Sequence, residues 1–297
     1  MTQPEHDRII REMNFPRPRN PAGRNVPVAI AVGIGLGAIA LAGILAGPWL
    51  WYPIVAVAAA LGTWEVVSRM REHDWLVPRT VLVIGGQLVI WLTIPFGSLG
   101  LLTGLVVSFI LVLGHRLFFN GMGGLRNWLR DASVAVFVLV WIPVNVAFAA
   151  LLSLGEQFEG VDGRWYIISF MLCVVANDVG GYAAGVFFGK HPMAPQISPK
   201  KSWEGFAGSV VLGAMTGTLC SLFLLDRGVA FGIALGILLV VSATFGDLLE
   251  SQFKRDLGIK DMSTMLPGHG GLMDRLDGML PAAAVMWVMV SMAQALA

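Results

Sequence analysis

Cysteine is nearly absent from this chain, and charge is thin. Only Cys173 and Cys220 occur in 297 residues, and both sit inside apolar runs. Two such residues make neither a disulfide framework nor a metal spacing, so buried thiols are the expected state of both. Charged residues form 13% of the sequence and the net charge is +1, which leaves no field of one sign to attract nucleic acid. Internal repeats and low-complexity tracts are also missing. What the sequence has instead is hydrocarbon: 56% of its residues are hydrophobic and the mean hydropathy is +0.73. Several apolar runs approach 20 residues, the length that crosses a bilayer as helix. The expected class is therefore an all-α, polytopic integral membrane protein, with a polar tail over 1–26 and one membrane domain over 27–297.

Apolar stretches predict about nine spans, near 27–47, 49–67, 79–96, 98–115, 132–153, 165–188, 204–225, 229–249 and 279–296. The first is too long for a cleavable signal, so it is read as an uncleaved span. "PFGSLG" at 95–100 predicts a tight turn between the third and fourth. Lys and Arg resist translocation, and placing the N-terminus in the cytoplasm puts 18 of the 20 on that side. Only Arg164 and Arg227 fall opposite. "GIGLGA" at 33–38 has the look of a nucleotide loop, but it lies inside the first span without a preceding strand. Small residues for close helix packing explain it better.

Against this background, "ESQFKRDLGIKDMSTMLPGHGGLMDRLDG" at 250–278 stands out, because it gathers nine charged residues in a tenth of the chain. Just upstream, Asp247, Glu250, Ser251 and Lys254 follow at i, i+3, i+4 and i+7, one face of a helix leaving the membrane. A carboxylate at the hydrocarbon edge is costly unless paired, hydrated or bound to a cation, and an interfacial salt bridge is the plain explanation. Pro267, Gly268, Gly270 and Gly271 then force a turn before a new helix near Leu272. Such a turn exposes backbone N–H groups able to receive phosphate. Asp274 and Asp277 sit on that new helix, where they either complement its dipole or hold a magnesium ion between themselves and phosphate oxygens.

A third segment, "GKHPMAPQISPKKSWEGFAG" at 189–208, is kept extended by Pro192, Pro195 and Pro199. Ser202 is an N-cap for the following span, and Lys200 and Lys201 stand just outside it. Upstream, Asn177 and Asp178 lie within the sixth span, roughly 16 Å of helix from Gly189. An ionisable group at that depth is a functional candidate. Acids for a divalent cation and bases for several phosphates thus meet at the membrane edge. Phosphoryl or nucleotidyl transfer to a lipid is the reaction class this arrangement suits.

At these residues the chain resembles the phosphatidate cytidylyltransferase (CDP-diacylglycerol synthase) family. That signature is met in full by Ser251, Phe253, Lys254, Arg255, Lys260, Asp261, Pro267, His269, Gly270, Gly271, Asp274, Arg275, Leu276 and Asp277. "ISPKKSWEGFAGS" and "NDVGGYAAGVFFGK" are similar to its companion motifs, and the likeness covers 165–297. The resemblance implies that CTP and phosphatidic acid give CDP-diacylglycerol and pyrophosphate, with Mg2+ required and a second cation, K+ or Mg2+, sharing Asp274. It implies Asp247 and Asp274 as the metal centre, with Asp178, Asp277 and Glu250 as further candidates. Lys254, Arg255, His269 and Arg275 would act on the reacting phosphates, and Ser198, Lys200, Lys201, Ser251, Lys260, Gly270 and Gly271 would bind substrate. It also implies a homodimer in the inner (plasma) membrane with its site facing the cytoplasm. Two rivals have specific features. A CTP-dependent polyprenol or phytol kinase would use a similar site, and a transporter would use deep acids such as Asp178 and Glu65.

Overall fold

A computed structural model describes residues 26–118, 127–155 and 160–296. The tail expected at 1–26, with Arg8, Arg11, Arg17, Arg19 and Arg24, lies outside the described residues apart from Val26. Arg126 lies outside them too. The described chain is helical: α1 (Val26–Ala46), α2 (Pro48–Arg71), α3 (Arg79–Trp91), α4 (Thr93–Phe118), α5 (Trp128–Leu139), a π-helical turn (Val140–Val144), α6 (Asn145–Leu152), α7 (Gly163–Phe188), α8 (Trp203–Phe223), α9 (Val229–Asp256), α10 (Met273–Leu276) and α11 (Met279–Ala295). Among the described residues, eight helical stretches are long and apolar enough to cross a membrane, with α3 as a shorter ninth. The all-α polytopic class therefore holds.

Local chemistry explains the departures from nine uniform spans. α3 stops at Trp91, and α4 turns sharply at Gly97, whose φ of 55° and ψ of −133° are not helical. A Cβ on Gly100 would run into the Leu92 carbonyl, so this corner needs its glycines. The span read at 132–153 starts at Trp128 and is interrupted by the π turn around Pro143, which has no N–H to give. Asn145 Nδ2 donates to Val140 O (3.0 Å) and Trp141 O (2.9 Å), satisfying carbonyls loosened there. The proline-rich 189–203 segment is more than an extended loop. It forms an antiparallel hairpin of β1 (Pro192–Ala194) and β2 (Ser198–Ser202).

Small residues bring α7, α8 and α9 together. A Cβ on Gly180 would meet Gly208 O at 2.7 Å, and one on Gly217 would meet Gly232 O at 2.5 Å. At such distances only glycine lets the backbones touch. Ser209 Oγ donates to Asn177 O (2.6 Å) and Thr244 Oγ1 donates to Asn177 Oδ1 (3.0 Å), tying the three helices at one level. One apolar core then runs from Ile44 to Val290. Cys173 and Cys220 are free and buried, as expected. At the N-terminus of α7, Asp162 caps the helix by accepting from Arg164 N–H at 2.9 Å, and the Arg164 side chain holds its carboxyl below the usual range.

Among the described residues, no neighbouring helix packs on Gly35 and Gly37 of the "GIGLGA" stretch in α1. A Cβ placed on Gly35 or Gly37 would meet no atom of the described residues within 4 Å, and one on Gly33 would face the His269 ring of a distant turn, 3.3 Å from its Nε2.

Candidate active site

α7, α9 and the 257–279 segment converge on a cavity of about 360 Å³. Its carboxylates are Asp178 from α7, Asp247 from α9, Asp261 from the connecting loop, Asp274 from α10, and Asp277. Lys254 and Arg275 supply its bases. A second chamber of about 220 Å³ adjoins it, lined by Lys200, Lys201, Tyr182, Met193 and Phe206. Asn177, Asp178 and Asp247 face both.

Two lysines are already matched to acids. Lys201 Nζ lies 2.5 Å from Asp247 Oδ2, and Ser251 Oγ donates to Asp247 Oδ1 at 3.2 Å. Lys254 Nζ donates to Asp274 Oδ1 (2.7 Å) and Glu250 Oε2 (2.6 Å). Asp274 Oδ2 accepts two backbone amides, Gly271 N–H at 2.7 Å and Met262 N–H at 3.0 Å. Each carboxylate oxygen has two lone pairs, so Asp274 Oδ1 and both oxygens of Asp247 keep one for another partner. Among the described residues, no three His, Cys, Asp or Glu side chains form a ready-made metal cluster. A donor set of separate carboxylates, each with spare lone pairs, fits a hard cation that takes its remaining ligands from phosphate and water.

Not every expected residue reaches the cavities. Glu250 is fully buried beside them, held by Lys254. Arg255 points to the hairpin side, donating to Ile197 O at 3.3 Å, and exposed Lys260 lines neither chamber. His269 packs against Gly33 of α1, while its backbone O accepts from Arg275 Nε at 3.2 Å. Ser198 is paired in the hairpin opposite Ala194. The glycine turn also differs from expectation. The amides of Gly271 and Met273, read as open to phosphate, are bonded by the carboxylates of Asp274 and Glu65, and α10 is only four residues long. That turn fixes an aspartate.

Three features escape a reading of the sequence. Asp261 belongs to the signature and received no role, although its place in the motif was a usable signal. Asn177 signals itself in the sequence only by its depth in the span. Glu65 and Arg69 of α2 bond to the signature loop across nearly 200 residues, and no local pattern announces such contacts.

Membrane-spanning helices that set paired carboxylates, fixed ammonium groups and a guanidinium around one cavity at their ends define a membrane-embedded group-transfer enzyme, a nucleotidyltransferase. The cytidylyltransferase family profile matches residues 27–293, and the chain belongs to that family. It is 46% identical to the phosphatidate cytidylyltransferase of Mycobacterium bovis over 280 residues, covering 91% of this chain and 90% of that protein. It is 44% identical to the enzyme of the same name from Mycobacterium leprae (96% and 93% covered) and 43% identical to that of Pseudomonas aeruginosa (78% and 86% covered).

Proposed function

We propose that this chain is a phosphatidate cytidylyltransferase working at the cytoplasmic face of the inner membrane. The observation that carries the reading is that Asp247 and Asp274, from separate helices, line one cavity beside Lys254 and Arg275. In the reaction, a phosphate oxygen of phosphatidic acid attacks the α-phosphorus of CTP in line. A P–O bond forms as the bond from that phosphorus to the β-phosphate oxygen breaks, giving CDP-diacylglycerol and pyrophosphate. The attacking phosphate is already ionised, so no general base is needed, consistent with His269 standing away from the cavity.

Asp247 and Asp274 would hold Mg2+, and Asp178, Asp261 and Asp277, which line the same cavity, are the candidates to complete a site for a second cation, Mg2+ or K+. Bound there, a divalent cation supplies charge stabilisation for the triphosphate and the leaving pyrophosphate. The chamber linings support a division of the substrates. The acid-rich one, with Lys254 and Arg275, suits the metal-bound triphosphate of CTP. The smaller one pairs Lys200 and Lys201 with Tyr182, Met193 and Phe206, a combination suited to a phosphate attached to acyl chains. Fixed cations aimed at developing charge contribute typically about 100- to 1000-fold each in rate. The family resemblance also supports a homodimer, which cross-linking in native membranes will test.

The deciding experiment mixes purified protein with phosphatidic acid, CTP and Mg2+ and identifies both products. CDP-diacylglycerol with pyrophosphate is expected. Release of CDP with a newly phosphorylated lipid would instead identify the kinase alternative, and substrate uptake into sealed vesicles without CTP would identify a transporter.

A further inference from the structure

Glu65 is a buried carboxylate of α2, 3% exposed and far in sequence from every signature residue. Both its oxygens are engaged with the signature loop. Oε1 accepts from the Ser263 hydroxyl, and Oε2 accepts from Met273 N–H at 2.8 Å. One helical turn along α2, Arg69 Nε donates to Met262 O at 2.5 Å. These contacts bracket the two amides that hold Asp274. Met262 offers its carbonyl to Arg69 and its N–H to Asp274 Oδ2. Gly271, the other donor to Asp274, leaves no room for a side chain, because a Cβ there would collide with the Glu65 carboxylate. Met273 directly precedes Asp274. Glu65 thus sits where the outgoing and returning arms of the loop meet.

We propose that Glu65 is the positioning residue for Asp274, holding the 262–273 loop closed so that its amides aim the aspartate into the acid-rich chamber. It acts through the loop backbone and touches no reacting atom. Simple packing does not account for it, since a leucine would fill that space without needing two buried donors to satisfy a charge. The inference rests on the reading of Asp274 as part of the cytidylyl-transfer site.

The test compares Glu65→Gln, which keeps an acceptor for Met273, with Glu65→Leu, which keeps only bulk. Two readouts are taken on the full-length protein in detergent or nanodiscs: hydrogen exchange of the 260–275 backbone, and steady-state kcat and KM. Supporting groups of this kind are worth about 10- to 100-fold in activity. The expected result is faster exchange confined to 260–275, a kcat loss in that range for Glu65→Leu, and a smaller loss for Glu65→Gln, with KM for phosphatidic acid little changed. Equal effects of the two variants, or a loosened loop with wild-type kcat, would overturn the proposal. If Glu65→Leu fails to fold, Ser263→Ala removes one half-buried donor. It should give the same pattern more weakly, and unchanged exchange and kcat in it would count against the idea. Should the wild-type chain itself show no turnover, the functional reading fails, and the restraint is judged on loop exchange alone.

Discussion

Lys201 Nζ and Asp247 Oδ2 lie 2.5 Å apart, joining the β-hairpin to the C-terminal part of α9. Their side chains are 28% and 37% exposed, so the pair contributes little to stability, about 0–1 kcal/mol. Its position between the two chambers gives it a different weight in catalysis. Lys201→Met should leave the melting temperature almost unchanged. Its kcat/KM for phosphatidic acid should fall by about 100-fold. Initial rates against lipid mole fraction in mixed micelles, alongside a thermal melt, will measure both.

The Lys254 bridge behaves in the opposite way. Glu250 is 0% exposed, and Lys254 is its hydrogen-bond partner. Lys254→Met leaves that carboxylate buried without its cation and should destabilise the protein by about 3–5 kcal/mol. Adding Glu250→Leu removes one of the two carboxylates that lose Lys254, the other being Asp274, so the double variant should recover part of the stability and none of the activity. Denaturation in detergent and product assays on the same samples separate the two effects.

Asp274→Asn retains size and one oxygen for the N–H groups of Met262 and Gly271, but puts a donor NH2 and no charge where Lys254 Nζ needs an acceptor. Turnover should fall more than about 1000-fold, because cation binding and phosphate alignment are lost together. Chelation of divalent cations should stop the wild-type enzyme, and added Mg2+ should restore it. Asp247→Asn should be inactive at the Mg2+ concentration that saturates the wild type. Rates measured across a Mg2+ titration provide the check.

Glycine packing gives a prediction about folding alone. A Cβ on Gly236 would press on Gly213 C at 2.7 Å and Ala214 Cα at 2.9 Å, and backbone cannot move aside. Gly236→Ala should lower stability by at least about 1–3 kcal/mol. Gly35→Ala, whose added methyl meets nothing within 4 Å among the described residues, should change it by under about 0.5 kcal/mol. Thermal melts of the two variants test the contrast.

Long-range features of this fold were legible to different degrees in the sequence. Spans and class follow from hydropathy, because twenty apolar residues in a row have few other uses. Ser202 was readable as a cap, and it does accept from Gly205 N–H at 3.1 Å. The signature residues Lys254, Asp274, Arg275 and Asp277 reach one cavity together with Asp247, four residues upstream of the motif, since all lie on α9 and the segment following it. Its local reading failed at "PGHGG", where bonds from Glu65 and Asp274 occupy the amides. It also failed at His269, whose ring is received by Gly33 at the far end of the sequence. Periodicity reports which face of a helix is apolar. It carries no information about which distant carboxylate will arrive at a loop.

Asn177, Asp178 and Asp247 are common to both chambers, and their side chains stand between an acid-lined basin and one edged by aromatic and thioether groups. On the proposed reading, a nucleotide that stays hydrated and an amphiphile that stays in its leaflet can react through this partition. Neither crosses into the other's solvent, and no carrier is required to reconcile their solubilities. The place where one helix emerges from oil sets the meeting point.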